Sequence, residues 1–88
     1  MLKRKTITVY MGIMEFKVIG NQKVNGKAGV MLKALDAVCV AIIEGLPANA
    51  TMVTLSAEAT AMVYSAVECG GTYAVKIEKK HVKEVRCG

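Results

Sequence analysis

The sequence predicts a small α/β protein of the α+β type, in which a mixed β-sheet and two helices follow the order β-β-α-β-α-β. Apolar and polar residues alternate in residues 13–19 and 73–77, as is typical of strands. Two longer apolar runs, residues 28–46 and 57–69, exceed strand length and end at glycines, as helices do. Since 88 residues suit a single core, we assign residues 1–88 to one domain.

The first part of the chain predicts strands. Residues 6–11 mix β-branched and aromatic side chains, and Gly12 then permits a bend or bulge. Apolar residues at 14, 16 and 18 alternate with polar ones, so residues 6–19 form either a hairpin or one bent strand. Turn signals follow at residues 20–22 and at Asn25-Gly26.

The longest apolar segment, residues 28–46, predicts the first helix, because Gly45 and Pro47 stand where helices usually end. Its polar residues fall in one stripe at spacings of three and four, which contains Lys33, Asp36 and Glu44 together with Val40. A helix that is apolar outside one stripe needs cover on more than one side. We therefore expect a second copy of the chain to cover it in a homodimer.

The second half of the chain predicts a buried strand over residues 51–56 and a second helix over residues 57–69. Ser56 is a suitable N-cap, and Glu58 lies in the first turn, where the helix dipole favours a carboxylate. Residues 73–77 alternate as a final strand with a charged face. The residues from Lys79 onward either extend that strand or fray.

The net charge of +5 comes from basic residues near both ends of the chain. If the ends lie side by side, they form one partner-binding surface consisting of Lys3, Arg4, Lys5, Lys76, Lys79, Lys80, Lys83 and Arg86. Such a surface favours an acidic partner, either nucleic acid or an acidic protein face. The alternative is that these residues only keep an apolar protein in solution.

The chain predicts a cytoplasmic protein that does not enter a membrane. Charges interrupt the longest apolar run, and no signal-peptide pattern follows the basic start. The three cysteines are an odd number with wide spacing, which indicates free thiols rather than a disulfide framework.

No catalytic, cofactor-binding or metal-binding set is predicted. Residues 20–28 resemble a phosphate-binding P-loop only superficially, because five residues separate the glycines and Ala28 replaces the hydroxyl residue that would reach Mg²⁺. The cysteines and His81 lack the paired spacing of zinc ligands. Cys39 lies among apolar residues, which favours a core position over a nucleophile.

Several stretches resemble the ribonuclease H-like fold. Residues 6–12 look like its first strand and turn, residues 35–42 like its first helix, and residues 53–58 like the strand that ends at its second catalytic carboxylate. Lys79, Lys80 and His81 stand about where the family has a basic, histidine-containing loop.

The catalytic positions of that family are incomplete in this chain. The resemblance implies carboxylates that hold two Mg²⁺ ions, but Met11 stands at the first position and Ala34 or a neighbour at the second, which leaves Glu58. One carboxylate does not hold that metal pair, so we expect no nuclease activity and no enzyme.

The leading hypothesis is a small non-enzymatic binding protein that acts through its basic surface. It would act as an inhibitor or adaptor of a nucleic-acid-processing protein complex, for example as an anti-defence protein of a mobile element or phage. One alternative is direct nucleic-acid binding, with affinity that falls steeply with salt. A second alternative is an oligomer that binds a small molecule at the subunit interface.

Overall fold

A computed structural model describes residues 12–34, 36–70 and 74–88. These ranges contain the strands β1 (Met14–Val24), β2 (Lys27–Ala34), β3 (Ala37–Ile43), β4 (Ala50–Leu55), β5 (Val75–Ile77) and β6 (Val82–Cys87), and the helix α1 (Ala57–Glu68). A 3-10 turn, Lys79–His81, joins β5 to β6. The predicted α+β class and mixed sheet are confirmed. The predicted strand over residues 6–11 lies outside the described residues.

The six strands form one sheet in the order β5-β3-β2-β1-β4-β6, in which only the β3–β5 pair is parallel. Five strand spacings would separate the edges of a flat sheet by about 24 Å. Yet the chain from Ile77 to Val82 spans at most about 17 Å. The sheet must therefore curl, so that the end of β5 comes near the start of β6.

The prediction of a first helix over residues 28–46 is wrong. This segment forms β2 and β3, which pair as antiparallel strands with Leu32 opposite Cys39. Burial alternates along both strands, with the most buried side chains at Val30, Leu32 and Ala34 on β2 and at Cys39, Ala41 and Ile43 on β3. Of the residues between them, Met31, Val40 and Ile42 are apolar too, and a segment that is apolar on both faces has no clear period that separates a strand from a helix.

Two consequences follow for the other predictions. The described residues contain one helix rather than two, so the predicted element order is also wrong. The homodimer prediction loses the helix on which it rested and stays a prediction. Within the described ranges, moreover, no helix is long and apolar enough to cross a bilayer.

The second predicted helix is confirmed as α1. Its N-cap is Ser56, whose Oγ accepts a hydrogen bond from the Ala59 amide at 3.2 Å, and it ends one residue earlier than predicted. The helix packs on one face of the sheet, which we call the inner face. There Tyr64 lies against Phe16, with ring centroids 6.0 Å apart, and Val63 is fully buried.

The predicted strands near both ends of α1 are confirmed. β4 forms over all but the last residue of the predicted strand 51–56, and β5 forms over residues 75–77 of the predicted final strand 73–77. The chain beyond Lys79 does not fray, because it forms the 3-10 turn and β6. The turn signal at residues 20–22 is wrong, since these residues continue β1 up to the Asn25-Gly26 turn.

Candidate binding surface

The strand register assigns side chains to the two faces of the sheet, because directly paired residues point to the same side. The face opposite α1 is called here the outward face. Its members are Glu15, Lys17, Gln22, Val24, Lys27, Met31, Lys33, Val38, Val40, Ile42, Met52, Thr54, Lys76, Glu84 and Arg86.

Half-buried aliphatic side chains form a patch on β2 and β3 of the outward face. Met31 pairs with Val40 across β2 and β3, and Val38 and Ile42 lie on the same side of β3. An antiparallel sheet with one solvated face normally carries polar residues there. The patch on β2 and β3 is instead apolar. Because the inner face of these strands is apolar as well, residues 28–46 lack a clear alternation of apolar and polar residues.

Lysines border this aliphatic patch. Lys17 and Lys33 lie directly opposite each other on β1 and β2, and both are exposed. Within the described ranges, neither lysine has a carboxylate within salt-bridge distance. Like charges in directly opposed positions of a sheet are destabilising. An anion bound over this pair would relieve that repulsion.

The remaining charges of the outward face leave it positive. Arg86 donates to the Glu15 carboxylate at 2.9 Å, which neutralises both groups. Lys76 lies beside Ile42 at the β5 edge, and Glu84 lies on β6. The surface is therefore an aliphatic patch with a surplus of lysines.

The structure divides the predicted basic surface. Lys76 and Arg86 belong to the outward face, whereas Lys79, Lys80 and Lys83 lie at the corner where β5 leads into β6. We call these three residues the corner lysines. Lys80 contacts Glu78 at 3.5 Å in an exposed pair, which stabilises little. Lys3, Arg4 and Lys5 lie outside the described residues.

Sequence reasoning missed the most distinctive part of this surface. The alternation in residues 13–19 places Lys17 on the polar side of its strand, and the register confirms this position. The alternation does not indicate that Lys33 lies opposite it. Lys33 was placed in the polar stripe of a helix that does not form. A two-residue Asn25-Gly26 hairpin alone would pair Lys17 with Ala34, and the β-bulge between Val18 and Gly20 shifts Lys17 opposite Lys33, so the turn signal was not enough to find this pair.

A hydroxyl, an imidazole and a carboxylate meet at the start of α1. Ser56 Oγ lies 3.0 Å from His81 Nδ1, and His81 Nε2 lies 3.6 Å from Glu58 Oε1. These residue types can activate a nucleophile, and sequence reasoning did not bring His81 to Ser56. However, Ser56 Oγ already caps the helix, and the Ser56 amide donates to the His81 carbonyl at 2.8 Å.

The same cluster contributes to none of three cavities, of about 390, 220 and 430 Å³, that other described residues line. The Glu58 side chain is 79% exposed, so water screens its attraction to the imidazole. The arrangement therefore fastens the 3-10 turn to α1.

The three cysteines are free. Burial raises the pKa of the Cys39 thiol, which disfavours the reactive thiolate. Cys69 and Cys87 are exposed. No group of three or more potential metal-ligating side chains occurs in the described part of the chain.

Comparisons with protein families, curated proteins and solved structures find no match for this chain. The resemblance to the ribonuclease H-like fold therefore stays a prediction. The described part of its proposed first-helix segment lies in the turn before β3 and in β3 itself. Of its proposed first-strand segment, only Gly12 belongs to the described residues.

Proposed function

We propose that the protein is a non-enzymatic binding protein whose outward face docks on an acidic surface of another protein. In this proposal the protein acts as an inhibitor or an adaptor of a protein complex that processes nucleic acid. The observation that carries the proposal is the opposed pair Lys17 and Lys33 beside the half-buried aliphatic patch of β2 and β3.

The two parts of the outward face would contribute differently to binding. Burial of Met31, Val40 and Ile42 against a partner would contribute about 25 cal/mol for each Å² of apolar surface removed from water. The lysines would favour an acidic partner, speed its approach and disfavour basic competitors. Carboxylates placed over Lys17 and Lys33 would also remove the repulsion present in the free protein.

Nucleic acid is the second candidate, and the corner lysines favour it. Lys79, Lys80 and Lys83 concentrate positive charge in a short exposed segment. Single strands are usually held by aromatic side chains that stack on bases. The aromatic residues in the described ranges, Phe16 and Tyr64, are buried on the inner side. The outward face therefore suits an acidic protein better than a single strand.

The first test compares two variants with the same charge change. The probes are a synthetic peptide of glutamates with interspersed leucines, single-stranded DNA and duplex DNA, each followed by fluorescence anisotropy at low and high salt. Lys17→Glu/Lys33→Glu should weaken peptide binding at least about tenfold, equivalent to about 1.4 kcal/mol. Val40→Ser should also weaken it, because it removes aliphatic contact area.

The matched control is Lys79→Glu/Lys80→Glu, which changes the net charge equally but lies off the outward face. It should leave peptide binding within about twofold of the original, a difference well below 1 kcal/mol. Equal losses from both double variants would show attraction by net charge alone and refute the proposed surface. DNA binding that is tighter than peptide binding and lost in the control would establish the nucleic-acid alternative.

A further inference from the structure

A β-bulge changes which side chains of β1 face inward. Before it, Val18 pairs with Leu32 on the inner face; after it, Gly20 pairs with Met31 and Asn21 with Val30. Ile19 is the extra residue. From this point on, odd-numbered rather than even-numbered residues of β1 face inward, and bulges commonly re-aim side chains in this way near functional sites.

The bulge turns two polar side chains toward the inner side of the sheet. Asn21 pairs with the buried Val30, and Lys23 pairs with Ala28, so both lie on the same side as the core residues Phe16 and Val18. Without the extra residue, Gly20 and Gln22 would face inward in their place. The Asn21 and Lys23 side chains are exposed, whereas the buried inner positions of the described strands are apolar.

Asn21 and Lys23 border a cavity of about 390 Å³. Val30, Ile43 and Leu46 supply its apolar surface, and Ala48 lies at its side. Its volume falls within the range of about 300–1,000 Å³ that is usual for small-molecule sites. No residue of α1 lines it, so this end of the inner face is open rather than filled by the helix.

The charge of the cavity selects one class of ligand. Lys23 is the only charged residue among the described residues that line it, and no carboxylate opposes it. Asn21 adds an amide donor on the same strand. An apolar pocket with a few convergent polar groups is the usual form of a small-molecule site.

We propose that this cavity binds a small organic anion, with a single carboxylate on a short aliphatic body. The carboxylate contacts the Lys23 ammonium and accepts a hydrogen bond from the Asn21 amide, and the aliphatic body packs against Val30, Ile43 and Leu46. The site is separate from the outward face, so it does not depend on the docking function proposed above.

The test is an NMR titration of the full chain with octanoate, octanol and octylammonium, all below their aggregation concentrations. Octanoate should shift the backbone amide signals of Asn21, Lys23, Val30 and Ile43, and octylammonium should bind at least about tenfold more weakly. Lys23→Gln should weaken octanoate binding about three- to tenfold and leave octanol binding unchanged, since octanol carries no charge.

The matched control is Lys27→Gln, which lies on the same hairpin but does not line the cavity. It should leave octanoate affinity unchanged. Ala48→Phe should fill the cavity and abolish binding, with its fold checked from the same spectra. Equal binding of octylammonium and octanoate, equal effects of the two lysine variants, or retained binding in Ala48→Phe would each overturn the proposal.

Discussion

Gly29 shows how one residue constrains the hairpin that carries both proposed sites. A Cβ built at this position would lie 2.8 Å from the Gln22 carbonyl oxygen and 3.4 Å from the Ala41 carbonyl oxygen. Both neighbours are backbone atoms and do not move aside as a flexible side chain would. The requirement for glycine therefore comes from the close approach of neighbouring strands.

We expect Gly29→Ala to lower the free energy of unfolding by about 1–3 kcal/mol, the usual cost of forcing extra atoms into a packed site. Chemical denaturation measures the difference. Gly12→Ala is the control, because a Cβ there would meet no atom within 4 Å. Its effect should stay within about 0.5 kcal/mol. Equal effects of both substitutions would show that the close contact is not what constrains position 29.

Cys39 differs from the other cysteines through its surroundings rather than its sequence. Its side chain is buried between strands, and desolvation raises the pKa of its thiol. At any pH below that raised value, less thiolate is present than for an exposed cysteine, and reagents also cannot reach the sulfur.

A coloured disulfide reagent at pH 8 should therefore modify Cys69 and Cys87 quickly and Cys39 only after denaturant is added. Cys39→Ala should leave the fast phase unchanged, whereas Cys69→Ser should remove one of its two thiols. A rapid reaction of all three thiols in the folded protein would contradict the burial of Cys39.

At the scale of an element, α1 depends on contacts at its first turn. Ser56 caps the helix and also contacts His81, so one side chain joins α1 to the 3-10 turn. Propensity alone does not stabilise a helix of this length in water, so such contacts matter. The sequence signal for the cap was local, but the contact with His81 was not.

Ser56→Ala should lower the free energy of unfolding by about 1–2 kcal/mol, because it removes the cap and leaves the imidazole without its hydroxyl partner. Ser56→Asp should restore most of the loss, since Asp caps helices as well as Ser does. Ser65→Ala, an exposed change within α1, should alter stability by no more than about 0.5 kcal/mol. A loss in Ser65→Ala as large as in Ser56→Ala would contradict a specific role for the cap.

At the scale of the whole molecule, the curl of the sheet decides which surfaces exist. It brings the corner lysines near the β3–β4 loop, where Lys79 and Lys83 line a cavity of about 220 Å³ together with Glu44. Two copies joined through their outward faces would place lysines near lysines, so this face fits an acidic partner better than a second copy.

The sequence by itself determined the elements whose signals are local. The Asn25-Gly26 turn is confirmed by positive φ angles of 51° and 81°. The strand of residues 51–56 and the Ser56-capped helix are confirmed as β4 and α1. Each depends on neighbours within one turn or on a simple alternation, which the order of residues already contains.

Tertiary structure decided the rest. Residues 28–46 contain the strands β2 and β3 rather than a helix. Both faces of these strands are partly covered and carry apolar residues, so the sequence lacks the alternation that would identify a strand. The bulge at Ile19 turned Lys23 toward the cavity, and the pairing of β4 with β6 brought His81 to Ser56. Each of these results depends on pairing or packing between residues distant in the chain, which no local pattern specifies.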